Sequence, residues 1–269
     1  MGRAFDAKFG DGFVAGAPDA PGVYLFLGPD GAAVYVGKAA SLRRRLAQYR
    51  NAGRRRRDRK PKSIVALASS LRWEVCATAL DAGLRELALI RELSPPLNVA
   101  SKFFFLYPLL GLDGGAGELR LGYSTRPESL APLPLFGAFR SRKIVKDAYF
   151  ALVRLMGYVG HPEPARRPAD RFTRLAGFRR VPEGVVGAWT EFLAGRSRGA
   201  LEDLVVSLLA RPGARRRASE VQEDVDALDR FWRKEAVPLR EALATEGLIG
   251  PVAQEERDSL LLRHRAIGG

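Results

Sequence analysis

The chain has 269 residues, 46% of them hydrophobic, enough for one large core or two small ones. Its 44 lysines and arginines against 30 aspartates and glutamates leave a net charge of +14, which points to a polyanionic partner, nucleic acid first. No segment approaches the ~20 apolar residues of a membrane span, and the basic run has no apolar stripe to enter a lipid surface.

A single cysteine, Cys76, excludes an internal disulfide, and residues 1–12 lack the apolar core of a signal peptide. A reducing cytoplasm is the expected compartment. In Gly22–Leu27, Val23, Leu25 and Leu27 alternate with Tyr24 and Phe26, the period of a half-buried strand, and Ala33–Val36 supplies its partner. A two-residue loop at Pro29 and Asp30 would set Tyr24 directly opposite Tyr35, on one face. A three-residue loop with Gly31 as a bulge would slip the register by one and separate them, and both readings stay open.

Ser41 is the expected N-cap of a helix over Leu42–Arg50, with Leu42, Leu46 and Tyr49 on its apolar face and Arg45 at the border. From Leu42 to Lys62 eleven basic residues face Asp58 alone: Arg43, Arg44, Arg45, Arg50, Arg54, Arg55, Arg56, Arg57, Arg59, Lys60 and Lys62. Arg72–Thr78 reads as a third strand, and a helix from about Asp81 to Leu93 stops before Ser94, Pro95 and Pro96. Two strands are expected around Gly111–Glu118, and an amphipathic helix over Ser141–Met156. His161–Pro168, with three prolines, reads as a linker. Helices follow over Val185–Leu193, Leu201–Leu209 and Ala218–Leu243, the last with Val221, Val225, Leu228 and Trp232 on one stripe. The expected divisions are 1–102, 103–160 and 161–269.

Glu86 sits among Leu89, Ile90 and Leu93 on the apolar side of its helix, with Asp81, Arg85 and Glu92 opposite. A carboxylate there needs a partner, either an arginine at the core edge or a ligand in a cleft. Asn98, twelve residues on and just past two prolines, would reach the same cleft or fix a turn.

Taken together, GVY at Gly22–Tyr24, YVG at Tyr35–Gly37, GKA at Gly37–Ala39, Arg45, Tyr49, Glu86 in RELALI and Asn98 in PPLNV resemble the GIY-YIG nuclease domain. Within that family the chain looks most like the N-terminal half of UvrC and its shorter homologue Cho. The resemblance implies an α+β fold: a central antiparallel three-stranded sheet flanked by helices, a UvrC-like mixed strand and helix extension, then a mainly helical region. It implies a metal-dependent endonuclease that hydrolyses a phosphodiester in damaged or structured DNA during nucleotide excision repair.

The roles implied are residue by residue. Tyr24 would be the general base, Tyr35 would orient water or phosphate, Lys38 and Arg45 would lower a phenol pKa, and Arg45 would clamp a phosphate oxygen. Glu86 would hold one Mg²⁺ or Mn²⁺, Asn98 would brace the cleft, Gly37 would let the backbone approach the substrate, and Tyr49 would support the site. Arg43, Arg44, Arg54, Arg55, Arg56, Arg57, Lys60 and Lys62 are the expected DNA contacts.

With no cysteine after Cys76, the iron–sulfur cluster of UvrC is not expected. The second nuclease and helix-hairpin-helix modules of UvrC are not found, so a single-incision, Cho-like enzyme fits better. The charged stretch from Glu220 to Leu243 is loosely similar to a UvrB-binding hairpin, which makes a UvrB-like protein a further expected partner. The competing reading is a catalytically silent DNA-binding accessory or adaptor on the same fold.

Overall fold

The computed structural model describes residues 2–52, 59–98, 106–164, 168 and 170–267. The chain divides into two compact units, Met1–Phe103 with Arg265–Gly269, and Phe104–His264.

The first unit opens with two helices not expected from the sequence, α1 (Gly2–Phe9) and α2 (Phe13–Gly16). Strands β1 (Gly22–Leu27), β2 (Ala33–Ala39) and β3 (Ser70–Val75) form an antiparallel sheet with β1 in the middle. Helix α3 (Leu42–Arg50) starts where expected, with the Ser41 side chain accepting from Arg44 N, and α4 (Arg59–Leu67) follows. Helix α5 (Ala79–Leu93) begins with a Thr78–Asp81 capping box, so Thr78, expected in the third strand, is an N-cap instead.

Period-two alternation sorts the central strand into two cores. Tyr24 and Phe26 pack with Leu42, Leu46 and Tyr49 of α3, Ile64 of α4 and Phe5 of α1. Val23, Leu25 and Leu27 pack on the other face with Ala82, Leu89 and Ile90 of α5.

In the second unit, β4 (Leu109–Asp113), β5 (Glu118–Ser124), β6 (Leu135–Gly137), β7 (His161–Pro162) and β8 (Arg174–Arg179) make a sheet in the order β6-β4-β5-β8-β7. Helix α6 (Arg142–Val159) lays seven buried residues, Val145 to Met156, into its core, capped by Ser141. The stretch read as a linker thus begins with a strand: Pro162 is accommodated at the sheet edge, where a missing N–H goes unnoticed. The division expected at residue 160 lies inside this unit, because β8 pairs with β5 along its whole length.

Helices α7 (Val185–Leu193), α8 (Gly199–Leu209) and α9 (Pro212–Arg216) lead to α10 (Ala218–Phe231). The single helix expected to Leu243 is interrupted by a π turn at Trp232–Ala236 before α11 (Val237–Thr245), and α12 (Arg257–Ile267) closes the chain. Pro238, with no N–H for the carbonyl one turn back, explains why the ladder widens there.

Candidate active site

The hairpin combines features of both expected registers. Gly28 N donates to Ala32 O at 2.8 Å around a three-residue loop, with Gly31 at φ +78° where a side chain would be strained. A second irregularity between Phe26 and Leu27 adds one more residue to β2, so Phe26 lies opposite Tyr35 and Tyr24 opposite Gly37. Two slips of one make a shift of two, which keeps Tyr24 and Tyr35 on the same face but diagonal, ring centroids 6.4 Å apart.

This register gives Gly37 its meaning. A Cβ there would overlap the hydroxyl end of Tyr24, whose ring lies across the strand. The glycine makes room for a tyrosine, where the sequence suggested room for substrate. Gly22 is needed for a similar reason, since a Cβ would meet the Glu74 carbonyl oxygen.

Helix α3 brings Arg45 and Tyr49 onto the same hydroxyl. Arg45 Nε donates to Tyr24 Oη at 3.1 Å, Tyr24 and Tyr49 share a hydroxyl hydrogen bond of 3.1 Å, and the Arg45 guanidinium stands 5.4 Å over the Tyr49 ring. Its Nη1 is taken by Gln48 Oε1 at 2.7 Å. The Tyr49 ring is core, as its helical spacing suggests, and its hydroxyl is also a member of the site. The i, i+4 spacing from Arg45 is the sequence signal for that second role.

The pKa of Tyr35 lies above the ordinary phenol value. Burial, with the charges of Tyr24 and Glu86, pushes it up to about 12, and Arg45 only partly offsets this. Burial also raises Tyr49, reinforced by Tyr24 and Tyr35.

Lys38 lies opposite Val23, on the α5 face of the sheet, so it does not join the phenols. Its ammonium pairs with Glu86 of α5 at 3.6 Å, the two side chains 38% and 18% exposed. Burial raises the Glu86 carboxyl, and Lys38 and Arg45 pull it back. The charge of Glu86 is felt by Tyr35 and that of Arg45 by Glu86, so the groups on the two faces of β2 form one electrostatic neighbourhood.

Asn98 is buried and spans the outer edge of β2. Its Oδ1 accepts from Val36 N at 2.9 Å and its Nδ2 donates to Val36 O at 2.8 Å. This side chain replaces a fourth strand between Tyr35 and Gly37, so its position is that of a brace rather than of a group aimed at substrate.

The expected DNA contacts divide. Arg43 Nε is bound to Ala17 O at 2.8 Å, Arg44 stands 3.9 Å from Asp19 on the surface, Lys62 is half-buried, and Lys60 holds its ammonium 4.9 Å over the Tyr35 ring. Arg54, Arg55, Arg56 and Arg57 lie outside the described residues. No group of three or more His, Cys, Asp or Glu suited to a metal occurs among the described residues, which leaves Glu86 as a single-carboxylate candidate.

Residues 20–99 match the family described as the UvrC-like GIY-YIG domain. A Mycobacterium tuberculosis protein named as a bifunctional exonuclease/endonuclease is 39% identical over 141 residues, 52% of this chain and 21% of that protein. UvrABC system protein C of Saccharopolyspora erythraea is 29% identical over 256 residues, covering 82% of this chain and 33% of that one. The chain thus spans well under half the length of either relative. The GIY-YIG N-terminal endonuclease domain of UvrC from Thermotoga maritima, solved with magnesium, is 34% identical, covers 32% of this chain and 91% of its own, and has a TM-score of 0.29.

Proposed function

From the UvrC-like GIY-YIG nuclease domain at residues 20–99, we infer that this chain is a metal-dependent DNA endonuclease that cuts a phosphodiester in damaged or structured DNA during excision repair. The observation that carries the reading is the Arg45–Tyr24–Tyr49 cluster beside the Lys38–Glu86 pair. Phosphodiester hydrolysis needs a proton acceptor for water, cations for the growing phosphate charge and help for the leaving oxygen.

Tyr24 is the proposed acceptor, because an Arg45 N–H already lies on its oxygen. Tyr35, half-buried and in contact with Tyr24, orients the water or phosphate. Arg45 binds a phosphate oxygen as charge develops.

Glu86 fits a divalent ion: it is a mostly buried carboxylate, raised by desolvation and only partly offset by Arg45 and by Lys38, whose ammonium stands at a distance longer than a charge-assisted hydrogen bond. It would hold one Mg²⁺ or Mn²⁺, which when bound would neutralise charge on the phosphate and leaving oxygen. Docking of a UvrB-like protein on the helical part of the second unit belongs to the same proposal.

The test is cleavage with Mg²⁺ of lesion-bearing, branched and plain duplexes, with EDTA and Glu86→Gln as controls. Metal-dependent incision of one of the first two supports the reading. Tight DNA binding with no incision in any of them would support the accessory-protein reading instead.

A further inference from the structure

A phosphate needs donors that are not already spent, and the other cations of the site are partly committed. Lys38 is paired with Glu86, and Arg45 is bound to Tyr24 and Gln48. Lys60 is different. Its side chain is exposed, its ammonium lies over the face of Tyr35 at 4.9 Å, and among the described residues no carboxylate, carbonyl or hydroxyl takes its hydrogens. A ring face holds a cation in place without a lone-pair acceptor, so N–H groups remain for whatever enters beside Tyr35.

Lys60 sits near the start of α4, and the other end of that helix is pinned from outside the matched domain. Lys8 of α1 donates to Val65 O at 2.9 Å, Ala66 O at 2.7 Å and Ala68 O at 2.7 Å. These are the orphan carbonyls of the α4 C-terminus, where a cation also meets the negative end of the helix dipole. Helix α1 is itself fixed to the site: Asp6 takes two hydrogen bonds from Arg50 of α3, and Phe9 packs edge-on against Phe26 of β1 at 5.9 Å. One short helix therefore ties together β1, α3 and α4.

Resting on the nuclease reading, we propose that Lys60, among the expected DNA contacts, is the one that binds a phosphate within the site itself, beside Tyr35, and that Lys8 is its positioning residue. Lys8 touches no substrate. It sets the angle of α4 and so the place of the Lys60 ammonium.

The experiment is a double-mutant cycle in the full chain with Lys60→Gln, Lys8→Met and the pair, and Lys60→Arg as the conservative control. Two quantities are measured: single-turnover incision with Mg²⁺ at saturating DNA, and the salt dependence of binding to a labelled duplex. Lys60→Gln is expected to slow incision about tenfold and to lower the salt slope by about 0.9, the loss of one phosphate contact. Lys60→Arg should recover most of both. Lys8→Met should reproduce most of the loss, and the pair should be no worse than Lys60→Gln alone.

Multiplying losses in the pair would overturn the positioning role, and wild-type rate and slope in Lys60→Gln would overturn the whole proposal. Should Lys8→Met fail to fold, Lys60→Gln and Lys60→Arg still decide the contact, and Lys8→Arg, which keeps the cation, decides the positioning. Should the wild type cut nothing, the nuclease reading fails, while the salt slopes still test the phosphate contact.

Discussion

Glu86 is held in two ways at once, and the balance between them decides what its removal should do. It pairs with Lys38, the bland expectation for a carboxylate on an apolar helix side, yet burial still raises its carboxyl. Lys38 is more than a third exposed, so losing its partner returns it to water, and the pair is worth about 0 to 1 kcal/mol. Glu86→Gln should therefore shift the melting temperature little while abolishing Mg²⁺-dependent incision and leaving DNA binding intact. A sharp drop in melting temperature with incision retained would make Glu86 a structural residue. Tyr24→Phe makes the complementary test: the ring still fills the space over Gly37, but Arg45 Nε and the Tyr49 hydroxyl lose their shared oxygen. Incision should fall by about two orders of magnitude or more, the scale of general acid–base catalysis, in a protein that still folds.

At the scale of elements, the site depends on how the edge strand β2 is finished. Asn98 satisfies both outward groups of Val36, so Asn98→Ala should leave a buried N–H and C=O unpaired, lower stability by about 1 to 3 kcal/mol, and loosen Tyr35 and Lys38 together. Chemical denaturation reads the first effect and incision the second. If incision fell with no loss of stability, Asn98 would act on substrate and not through the strand.

The second unit uses a comparable device. Glu235, buried in the π turn, accepts from Arg140 N at 2.7 Å and Ser141 N at 3.1 Å at the start of α6. Burial raises its carboxyl, with the Arg140 N–H and Arg257 partly offsetting this. The folded state thus holds this proton more tightly than the unfolded chain. On this group alone, stability falls as pH rises from the usual carboxylate range through the raised value. Melting of Glu235→Gln across that range should be flatter with pH than melting of the wild type, and an unchanged profile would refute the assignment.

The elements show why part of the site was legible and part was not. Alternation placed both tyrosines in strands, and helical spacing placed Tyr49 beside Arg45, because those patterns are local. The bulge at Val34 has no such pattern, so the register that puts Tyr24 over Gly37 was open until the strands were paired. The paired face of Lys38 depended on the same register. Strands β7 and β8 escaped because a two-residue strand ending in proline carries no period, and RLAGFR alternates too weakly to stand out. Helix α1 was missed although Phe5 and Phe9 lie one turn apart, since nothing local showed that α4 and Arg50 needed it.

For the whole molecule, the charge of +14 is distributed so that most described cations near the site are already used within the protein. Arg43 holds Ala17 O, Arg50 holds Asp6, and Lys8 holds α4, which leaves the run Arg54–Arg57 as the densest remaining source of phosphate contacts. If those four arginines meet DNA, replacing all of them by serine should weaken binding to unrelated sequences alike. Phosphate contacts carry no base information, and each one lost should flatten the plot of log affinity against log salt by about 0.9. Incision under saturating DNA should be far less affected than affinity, because Tyr24, Arg45 and Glu86 keep their partners. Equilibrium binding of a labelled duplex over a series of salt concentrations makes the measurement. An unchanged slope would assign the run to solvated surface and move the polyanion surface elsewhere on the chain.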